Sequence, residues 1–419
     1  MFKRNILNQL NATLEESPVV FIRGARQSGK TTLIENICQT QGYSYNTFDD
    51  LFSQGNAEKD PSGFIENLKK PAAIDEVQRV PQIFLPMKKD VDEHRLPGRY
   101  LLTGSVNPLR VPNLGDSLAG RMQFIQLWPL SQGEIRGLKE GFIDYIFKEG
   151  KIDFPSTEIS KDELLNIVIK GGFPDLQRIE DERKRQSWCH GYISTVLEKD
   201  IMDLAKIEHL RSMPNILVTL ANRLSCTLNE KDVARTVGLP STTTQRYMQL
   251  LQNTYMIELL PAWSRNLEKR MMKSPKVYFV DTALLLHILR FNEERLKEDQ
   301  KMWGHVVENF VLVEVLKQLN WSEVIAKAYH YRTHDGSEEV DIVLESSSGK
   351  IVGIEITSSP KITSDDFNSL RKLQEMVGKN FVRGIILYTG EKSYSAGVNL
   401  NAIPISTLWS HVLEIKSAP

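Results

Sequence analysis

A short glycine-rich segment near the start of the chain limits what this protein can fold into more than any other feature. Residues 24–31 read G-A-R-Q-S-G-K-T and fit the pattern G-x-x-x-x-G-K-[ST]. An apolar run at 19–22 precedes the segment, and residues of helical character follow it from Thr32. Between a strand and a helix, a loop of this pattern cradles phosphate groups with its backbone N–H groups. We therefore predict an α/β fold whose parallel-sheet core binds a nucleotide.

The residues of this loop have predicted roles in holding ATP and a Mg²⁺ ion. Lys30 places a positive charge on the β- and γ-phosphates, and the hydroxyl of Thr31 is a ligand for Mg²⁺. The N-terminus of the following helix adds a dipole that favours negative charge. The predicted nucleotide-binding residues are Gly24, Ala25, Arg26, Gln27, Ser28, Gly29, Lys30, Thr31 and Thr32.

Two adjacent carboxylates follow a second apolar run. Ala72-Ala73-Ile74 leads directly into Asp75 and Glu76. Because ligands bind at the carboxyl ends of the strands in open α/β sheets, both side chains are expected beside the phosphate loop. Asp75 is predicted to hold the Mg²⁺ ion, and Glu76 is predicted to orient or deprotonate the water that attacks the γ-phosphate.

Two further residues are candidates for the same reaction. Thr103 follows the apolar residues 100–102 and is predicted to hydrogen-bond the γ-phosphate or the attacking water. Arg121 precedes the apolar run at 122–125 and is a candidate arginine finger, acting on its own nucleotide or on that of a neighbouring subunit. A solvated arginine at the start of a strand is an equally good interpretation of Arg121.

Composition and charge exclude several classes of protein. The chain has 419 residues, with 52 Lys or Arg against 53 Asp or Glu, and the net charge of −1 argues against a polycation that coats nucleic acid or membranes. The length predicts roughly two to four domains. The three cysteines form no C-x-x-C pair, and no apolar run has the length of a membrane helix. We therefore expect a cytoplasmic protein without a disulfide scaffold, a zinc ribbon or a membrane partner.

Strand-like and helix-like segments alternate in the first third of the chain, which is typical of a parallel sheet covered by helices. The strand-like runs are 19–22, 43–48, 71–74, 99–102 and 122–125. Helical patterns then extend over 134–148 and 161–223, with a break at Gly171-Gly172-Phe173-Pro174. The predicted domains are an ATPase core at 1–135, a helical lid or connector at 136–223, a third domain at 224–290 and a fourth at 295–419.

Several motifs together resemble a family of prokaryotic AAA-type ATPases. They are the phosphate-loop sequence, I-D-E-V-Q at 74–78, L-L-T-G-S at 101–105, S-L-A-G-R at 117–121, W-P-L-S at 128–131 and G-G-F-P at 171–174. The resemblance continues through 192–200 and 277–281 and covers most of the chain. It implies a P-loop AAA-type core, a helical lid, a winged helix and a C-terminal nuclease-like fold, and it implies no settled substrate.

Residues 224–290 carry the pattern of a helix-turn-helix, because a helical stretch at 229–237 ends at Gly238 and a second begins near Ser241. The residues predicted to contact DNA near the start of this second helix are Thr242, Thr243, Gln245 and Arg246. The basic loop at 265–273 lies where a wing belongs, and its predicted DNA contacts are Lys269, Arg270 and Lys273. Residues 206–290 hold twelve Lys or Arg and six Asp or Glu, a local charge of +6. A packing or subunit-contact module with a solvated wing is the alternative.

Three carboxylates in the last part of the chain are a possible second metal site. Glu308 lies on a largely apolar face of a predicted helix at 306–319, and Asp341 and Glu355 lie within strand-like runs. Three such oxygen ligands are able to hold one hard cation. Their order resembles the PD-(D/E)xK nuclease pattern of the restriction-endonuclease-like fold, which implies a lysine where this chain has Thr357.

Two substitutes for this lysine, Lys361 and Lys372, lie nearby in the sequence. The alternative is a nuclease-like fold that is retained for binding or assembly, with its acids solvated or paired. Such an acid cluster still needs a positioned water for hydrolysis.

These features predict Mg²⁺-dependent ATP hydrolysis by a homo-oligomer, coupled to DNA engagement through a winged helix and a nuclease-like domain that has lost cleavage. Two alternatives stay open. One is an ATP-driven switch that acts on protein partners without DNA, and the other is an ATP-gated, metal-dependent DNA nuclease. Salt-dependent DNA binding separates the first alternative from the main hypothesis, and metal-dependent cleavage establishes the second.

Overall fold

A parallel sheet forms the core of the first part of the chain. The computed structural model describes residues 2–105, 118, 120–154, 156, 159–204, 210–333 and 335–410. The strands of this sheet are β1 (Val19–Arg23), β2 (Ser44–Thr47), β3 (Ala72–Asp75), β4 (Tyr100–Gly104) and β5 (Met122–Gln126). Their order is β2-β3-β4-β1-β5, so β1, which leads into the phosphate loop, lies between two parallel neighbours. The strand-like runs of the sequence thus form an α/β core as predicted.

Helices cover both faces of this sheet. They are α1 (Leu7–Glu16), α2 (Lys30–Gln41), α3 (Leu51–Lys59), α4 (Pro61–Asn67) and α5 (Phe84–Glu93). Because successive side chains of a strand point to opposite faces, Val20 packs in one cluster with Leu33 of α2, and Phe21 packs in another with Phe84 of α5. Both faces of β1 are therefore buried, which explains its continuous run of apolar residues.

Short helices follow the sheet. They are α6 (Gln132–Arg136), α7 (Phe142–Ile146), α8 (Lys161–Lys170) and α9 (Glu182–Thr195), which continues through a π-helical turn (Val196–Asp200) into α10 (Ile201–Leu204). The single helix predicted over 134–148 is two helices, because Gly137 ends α6 in the left-handed conformation, with a φ of 70°. We call α8 to α10 the helical unit.

Three helices and a β-hairpin come next. The elements are α11 (Met213–Ala221), α12 (Glu230–Val237), α13 (Ser241–Asn253), β6 (Ile257–Leu260), α14 (Leu267–Met272) and β7 (Lys276–Phe279). β6 and β7 pair antiparallel, and Gly238 ends α12 in the left-handed conformation. We call β6, α14 and β7 together the hairpin. The loop predicted between its strands contains a short helix, α14.

The C-terminal part of the chain is built around a mixed sheet. The helices of this part are α15 (Thr282–Leu289), α16 (Glu293–Glu298), α17 (Gln300–Leu319), α18 (Asn368–Val377) and α19 (Thr407–Ser410). Its strands are β8 (Ala326–Arg332), β9 (Glu339–Ser346), β10 (Ile351–Thr357), β11 (Phe381–Tyr388), β12 (Tyr394–Ser395) and β13 (Leu400–Pro404), in the order β12-β13-β11-β10-β9-β8. α17 begins six residues before the predicted helix start, where Asp299 caps it by accepting a hydrogen bond from the backbone N–H of Met302.

The helical unit, the hairpin and the C-terminal sheet share one apolar core. The cluster extends from Ile143 in α7 through Leu217 in α11 and Val311 in α17 to Trp409 in α19. The predicted domain boundaries after residues 135, 223 and 290 stay a prediction. Among the described helices, none has the length and apolar character to cross a membrane.

Candidate functional site

The phosphate loop takes its shape from its glycines. Gly24 leaves β1 so close to the Leu127 carbonyl that a Cβ atom would collide with it. Gly29 has a φ of 98° and is the N-cap of α2, a left-handed conformation that glycine adopts without strain. The two glycines therefore turn the loop over the N-terminus of α2, where unpaired backbone N–H groups attract anions.

Lys30 points into this loop. Its ammonium group donates hydrogen bonds to the carbonyl oxygens of Gly24, at 3.0 Å, and Ala25, at 2.9 Å. Burial lowers the pKa of Lys30, while the neighbouring charges of Glu76 and Asp75 act in the opposite direction. The sequence predicted that this lysine contacts phosphate groups, and in the structure its ammonium contacts the carbonyl groups of the loop itself.

Asp75 forms the centre of a hydrogen-bonded group at the carboxyl end of β3. The Thr31 hydroxyl donates to Oδ2 of Asp75 at 2.9 Å, and the Tyr45 hydroxyl donates to the same oxygen at 3.2 Å. The Thr103 hydroxyl donates to Oδ1 of Asp75. The structure thus brings together Thr31, Asp75 and Thr103 as the strand ends predicted, and it adds Tyr45, which sequence reasoning did not find.

Glu76 follows in a left-handed conformation, with a φ of 57°. Its backbone N–H donates to the Thr103 hydroxyl at 3.3 Å. Its carboxylate accepts hydrogen bonds from the side chains of Ser105, at 3.2 Å, and Gln78. Non-glycine residues are uncommon in this region of φ and ψ and are found at functional sites. Ser105 and Gln78 belong to the motifs at 101–105 and 74–78, but no sequence pattern predicts their contact with Glu76.

A cavity of about 510 Å³ opens over the loop. Lys30, Thr31 and Glu76 line it from the sheet side, and Pro174 and Arg178 line it from the segment before α9. The sequence predicted a break between helices at the G-G-F-P motif. It did not predict that Arg178, four residues after this motif, lines the nucleotide cavity. No sequence pattern marks it, because it arises from how the helical unit packs on the core.

Arg26 and Arg121 have different surroundings. Arg26 lines the cavity, and its guanidinium pairs with Asp200 at the end of the π-helical turn, with Nη2 to Oδ1 at 2.6 Å. This hydrogen bond raises the pKa of Arg26, against the effect of burial. Arg121, the candidate arginine finger, pairs with Asp92 of α5 and is not among the residues that line the cavity.

The donor atoms at this site suit a Mg²⁺ ion. Thr31 and Asp75 present a hydroxyl and a carboxylate, which are hard oxygen donors, within hydrogen-bonding distance of each other. Mg²⁺ in nucleotide sites takes one or two protein ligands and completes its shell with phosphate oxygens and water. Thr31 and Asp75 therefore fit as its protein ligands.

A buried polar network lies behind the phosphate loop. Arg4 donates to the Ser28 carbonyl at 2.8 Å and to Glu134 at 3.2 Å. Burial, together with the charges of Glu314 and Glu134, raises the pKa of Glu140 to about 8. Because Glu314 of α17 accepts from the backbone N–H of Gln132 at 2.9 Å, this network joins the phosphate loop to the C-terminal domain.

The second set of predicted acids also comes together. Asp341 on β9 interacts with both Glu308 on α17 and Glu355 on β10, and Glu339 on β9 joins them. We call these four side chains the carboxylate cluster. Burial raises the pKa of Glu308 to about 7, and the charge of Asp341 adds to this effect. Burial and Asp341 also raise the pKa of Glu355.

A lysine from the hairpin enters this cluster. The Lys276 ammonium lies 2.5 Å from Glu339, 3.1 Å from Glu308 and 3.4 Å from Asp341, and the side chain is 2 % exposed. Burial lowers the pKa of Lys276, but the carboxylates outweigh it and the net shift is upward. The Tyr278 hydroxyl donates to Glu308 at 2.7 Å.

The two lysines that the sequence suggested in place of the nuclease lysine are not among the partners of the carboxylate cluster. Lys361 is exposed, and Lys372 pairs with Glu338 on the surface. The only sequence signal for Lys276 is a lysine at the start of an otherwise apolar strand. Within the described residues, no three or more His, Cys, Asp or Glu side chains are grouped so that they are able to hold a metal ion. The ammonium of Lys276 instead provides a positive charge to the carboxylates.

The predicted DNA-contacting residues divide into two groups. Thr242, Gln245 and Arg246 are exposed on the first part of α13, and Thr243 is half-buried there. Gln245 donates to Glu230 of α12. These positions leave a polar face near the N-terminus of α13.

The sequence predicted that three basic residues of the hairpin face solvent and contact DNA, but two of them have partners inside the protein. Arg270 forms a two-bond ion pair with Glu345 and lies over the Tyr329 ring at 4.9 Å. Lys273 donates to the Arg332 carbonyl at 2.9 Å. Lys269 remains exposed. The reason is that the hairpin packs on β8 and β9, which supply acceptors and aromatic faces to two of the three predicted contacts.

Three family models match successive parts of the chain. Residues 16–136 match the model described as AAA domain. Residues 161–295 match Domain of unknown function DUF8612, and residues 303–408 match Domain of unknown function DUF4143. The first match includes the phosphate loop, Asp75, Glu76 and Thr103, so an AAA-type domain accounts for the nucleotide site.

Relatives and solved structures match different shares of this chain. Uncharacterized protein Rv2008c of Mycobacterium tuberculosis is 28% identical over 405 residues, which are 96% of this chain and 83% of that protein. Uncharacterized protein MJ1544 of Methanocaldococcus jannaschii is 26% identical over 230 residues, 52% of this chain and 47% of that protein. Among solved structures, the Walker-type ATPase paby2304 of Pyrococcus abyssi has a TM-score of 0.41 at 16% identity, covering 69% of this chain and 96% of that chain.

Proposed function

We propose that this chain is a Mg²⁺-dependent P-loop ATPase of the AAA type whose nucleotide cycle acts on DNA through α11 to α13, the hairpin and the C-terminal domain. The observation that carries the nucleotide part is the contact of the Thr31 hydroxyl with Asp75, 2.9 Å apart at the start of α2. A loop lysine, a hydroxyl and a strand-end carboxylate in this arrangement are the parts that phosphoryl transfer requires.

Lys30 and the backbone N–H groups of the loop bind the phosphates. The Lys30 ammonium contacts the carbonyls of Gly24 and Ala25. When ATP binds, the ammonium exchanges these carbonyls for phosphate oxygens. Thr31 and Asp75 would hold Mg²⁺, which when bound neutralises charge that develops on the phosphate oxygens. The Thr103 hydroxyl keeps Asp75 in position.

Glu76 is the group that acts on water. Hydrogen bonds from Ser105 and Gln78 hold its carboxylate at the edge of the cavity, and Thr103 holds its backbone. From there Glu76 orients a water and accepts its proton as the oxygen attacks the γ-phosphate. Arg178 brings a cation to the same cavity from the helical unit and stabilises negative charge on the transferring phosphoryl group.

Support for DNA engagement comes from α11 to α13 and the hairpin, whose order of three helices and two antiparallel strands is that of a winged helix. The exposed polar residues Thr242, Gln245 and Arg246 lie on the first part of α13, where groove-contacting residues belong. Lys269 is an exposed cation of the hairpin and is placed to contact phosphates.

For the C-terminal domain we infer binding without cleavage. Its carboxylate cluster has the ammonium of Lys276 as counter-charge, and Thr357 cannot supply the charge that a nuclease needs beside the attacking water. The alternative of an ATP-gated nuclease rests on the same lysine, since Lys276 brings a positive charge to the acids from another element.

Assembly into a homo-oligomer is also part of the proposal. Arg121 is the residue that would reach a neighbouring subunit's nucleotide, and it would have to exchange its partner Asp92 for phosphate oxygens. Sedimentation of the protein with and without a non-hydrolysable ATP analogue tests this part, and a monomer under both conditions contradicts it.

One experiment tests the main proposal. Phosphate release from ATP is measured with Mg²⁺, with EDTA, and with added duplex DNA over a range of salt concentrations. We expect release that requires Mg²⁺ and DNA binding that weakens as salt rises. ATP hydrolysis without duplex affinity at low salt would leave the switch that acts on protein partners, and no hydrolysis at all would refute the ATPase.

A further inference from the structure

One ion pair joins the phosphate loop directly to the helical unit. The Nε atom of Arg26 donates to Oδ2 of Asp200 at 3.0 Å, and Nη2 donates to Oδ1 at 2.6 Å. The two residues are 174 positions apart in the chain. The side chain of Asp200 is 6 % exposed and that of Arg26 is 30 % exposed, so the pair is shielded on the Asp200 side and open on the Arg26 side.

Asp200 occupies an unusual backbone position. It is the last residue of the π-helical turn Val196–Asp200, through which α9 passes into α10. A π-turn inserts an extra residue into a helix, is rare, and is frequent at functional sites. The helix therefore changes its geometry at the point where it binds the phosphate loop.

The open side of Arg26 faces the nucleotide cavity. Arg26 lines this cavity together with Lys30, Thr31 and Glu76. A guanidinium group has five N–H donors in a planar fork, which suits carboxylates and phosphates equally. A triphosphate in the loop would attract Arg26 and repel the Asp200 carboxylate at the same time, so nucleotide and Asp200 compete for one cation.

We propose that the pair of Arg26 and Asp200 is a nucleotide-sensing latch, in which a nucleoside triphosphate takes Arg26 from Asp200 and releases the turn at 196–200 from the phosphate loop. This inference rests on the proposed function, because it requires a nucleotide in the loop. Asp200 is then a positioning residue that acts through Arg26. Since coupling is reciprocal, a triphosphate that weakens the latch is itself bound more weakly while the latch is closed, so loss of Asp200 must strengthen triphosphate binding.

Affinity for a fluorescent, non-hydrolysable ATP analogue tests the latch. We expect Asp200→Asn to bind the analogue roughly tenfold more tightly than wild type, and Arg26→Ala to bind it roughly tenfold more weakly. Binding of adenosine, which has no phosphates, is expected to stay the same in Asp200→Asn. A purely structural role of Asp200 predicts that Asp200→Asn binds the analogue more weakly. The direction of the change in affinity therefore distinguishes the latch from a structural role.

The core of the protein offers a matched control. Arg99 and Asp90 form a second two-bond pair, with distances of 2.6 and 2.8 Å, away from the residues that line the cavity. Asp90→Asn removes a pair of the same chemistry and is expected to leave affinity for the analogue within about twofold of wild type. Asp200→Glu restores the charge and is expected to restore affinity near the wild-type value.

Hydrogen exchange gives a second readout that does not depend on affinity. Amides of residues 196–202 are expected to exchange faster in wild type when the analogue is added, and equally fast with and without it in Asp200→Asn. Slower exchange on adding the analogue, or weaker binding by a folded Asp200→Asn, overturns the latch alone. Failure of wild type to bind the analogue overturns the proposed function instead.

Discussion

The ammonium nitrogen of Lys276 lies 3.1 Å from a carboxylate oxygen of Glu308, and this contact joins the hairpin to α17. The Asn309 side chain strengthens the junction by accepting from the Phe279 N–H at 2.7 Å and donating to the Phe279 carbonyl at 2.9 Å. A strand of the hairpin is thus hydrogen-bonded along its length to one helix of the C-terminal domain. Movement of the hairpin relative to this domain requires these buried polar contacts to break.

Removal of Lys276 should destabilise the protein strongly. Lys276→Met leaves buried carboxylates without their counter-charge, which costs about 3 to 5 kcal/mol of unfolding free energy when one partner of a buried pair is lost. Urea unfolding of both proteins measures this difference. Lys297→Met, at an exposed lysine that pairs with Glu293, is the control and should change little. A loss below about 1 kcal/mol in Lys276→Met would show that the cluster does not depend on the lysine.

A test for nuclease activity shows whether Lys276 acts only as a counter-charge or as the lysine of a nuclease site. We expect weak or no Mg²⁺-dependent cleavage of duplex DNA by wild type, and some gain of nicking in Thr357→Lys, because this change supplies the missing charge. Agarose gels of supercoiled plasmid measure nicking. Robust wild-type cleavage that is lost in both Asp341→Ala and folded Lys276→Met would overturn the prediction and make Lys276 the lysine of a working nuclease.

Two variants of the nucleotide site should fail in different ways. Lys30→Ala removes a phosphate contact made in the bound state and should lower ATP affinity about tenfold or more. Glu76→Gln keeps binding but loses the proton acceptor, so kcat should fall about 100-fold. Lys89→Ala, at an exposed lysine of α5, is the control. Wild-type turnover by Glu76→Gln contradicts the role of Glu76 in acting on water.

Contacts of the hairpin and of α13 with DNA should differ in salt dependence. Lys269→Ala should weaken binding to all duplexes alike and reduce the slope of log affinity against log salt by about one, because one phosphate contact is lost. Arg246→Ala should instead change the preference among sequences. Titrations of several duplexes at four salt concentrations measure both effects. Equal salt slopes for Lys269→Ala and wild type would remove Lys269 from the interface.

Glu140 should make stability depend on pH. Its pKa rises from 4.5 to about 8 on folding, so between these values the native state binds more protons than the unfolded state and stability falls as pH rises. Between pH 5 and pH 8, wild type should lose roughly 1 to 3 kcal/mol more unfolding free energy than Glu140→Gln. Glu93→Gln, at an exposed position, should keep the wild-type slope. Parallel slopes for wild type and Glu140→Gln would place the Glu140 pKa near its ordinary value.

Much of the nucleotide site was predictable because its parts are local in the chain. Strand, loop and helix follow one another within residues 19–41, and the motif specifies their glycines, lysine and hydroxyl directly. Asp75 comes at the end of an apolar strand, and parallel strands bring their carboxyl ends to one edge. Clustering of Glu308, Asp341 and Glu355 also agrees with the order of elements that the sequence indicated.

Other contacts had no pattern that a sequence can display. Arg178 reaches the cavity only because the helical unit packs over the sheet. Of the three predicted hairpin contacts, Arg270 and Lys273 have internal partners because the hairpin docks on β8 and β9, while Lys269 is exposed. Helix and strand propensity and hydrophobic periodicity predict single elements of secondary structure. They do not predict which residue of another element pairs with a given lysine or arginine.

The sequence by itself determined the α/β core, the phosphate loop and the carboxylates at the strand end, since these follow from backbone geometry and from residues close together in the chain. Only the tertiary structure decided which cation meets which carboxylate. Arg26 and Asp200 are 174 positions apart, and Lys276 and Asp341 are 65 apart. Ion pairs over such separations form where packing of the apolar surfaces places the chain, because burial of those surfaces, and not the charges, supplies most of the folding free energy.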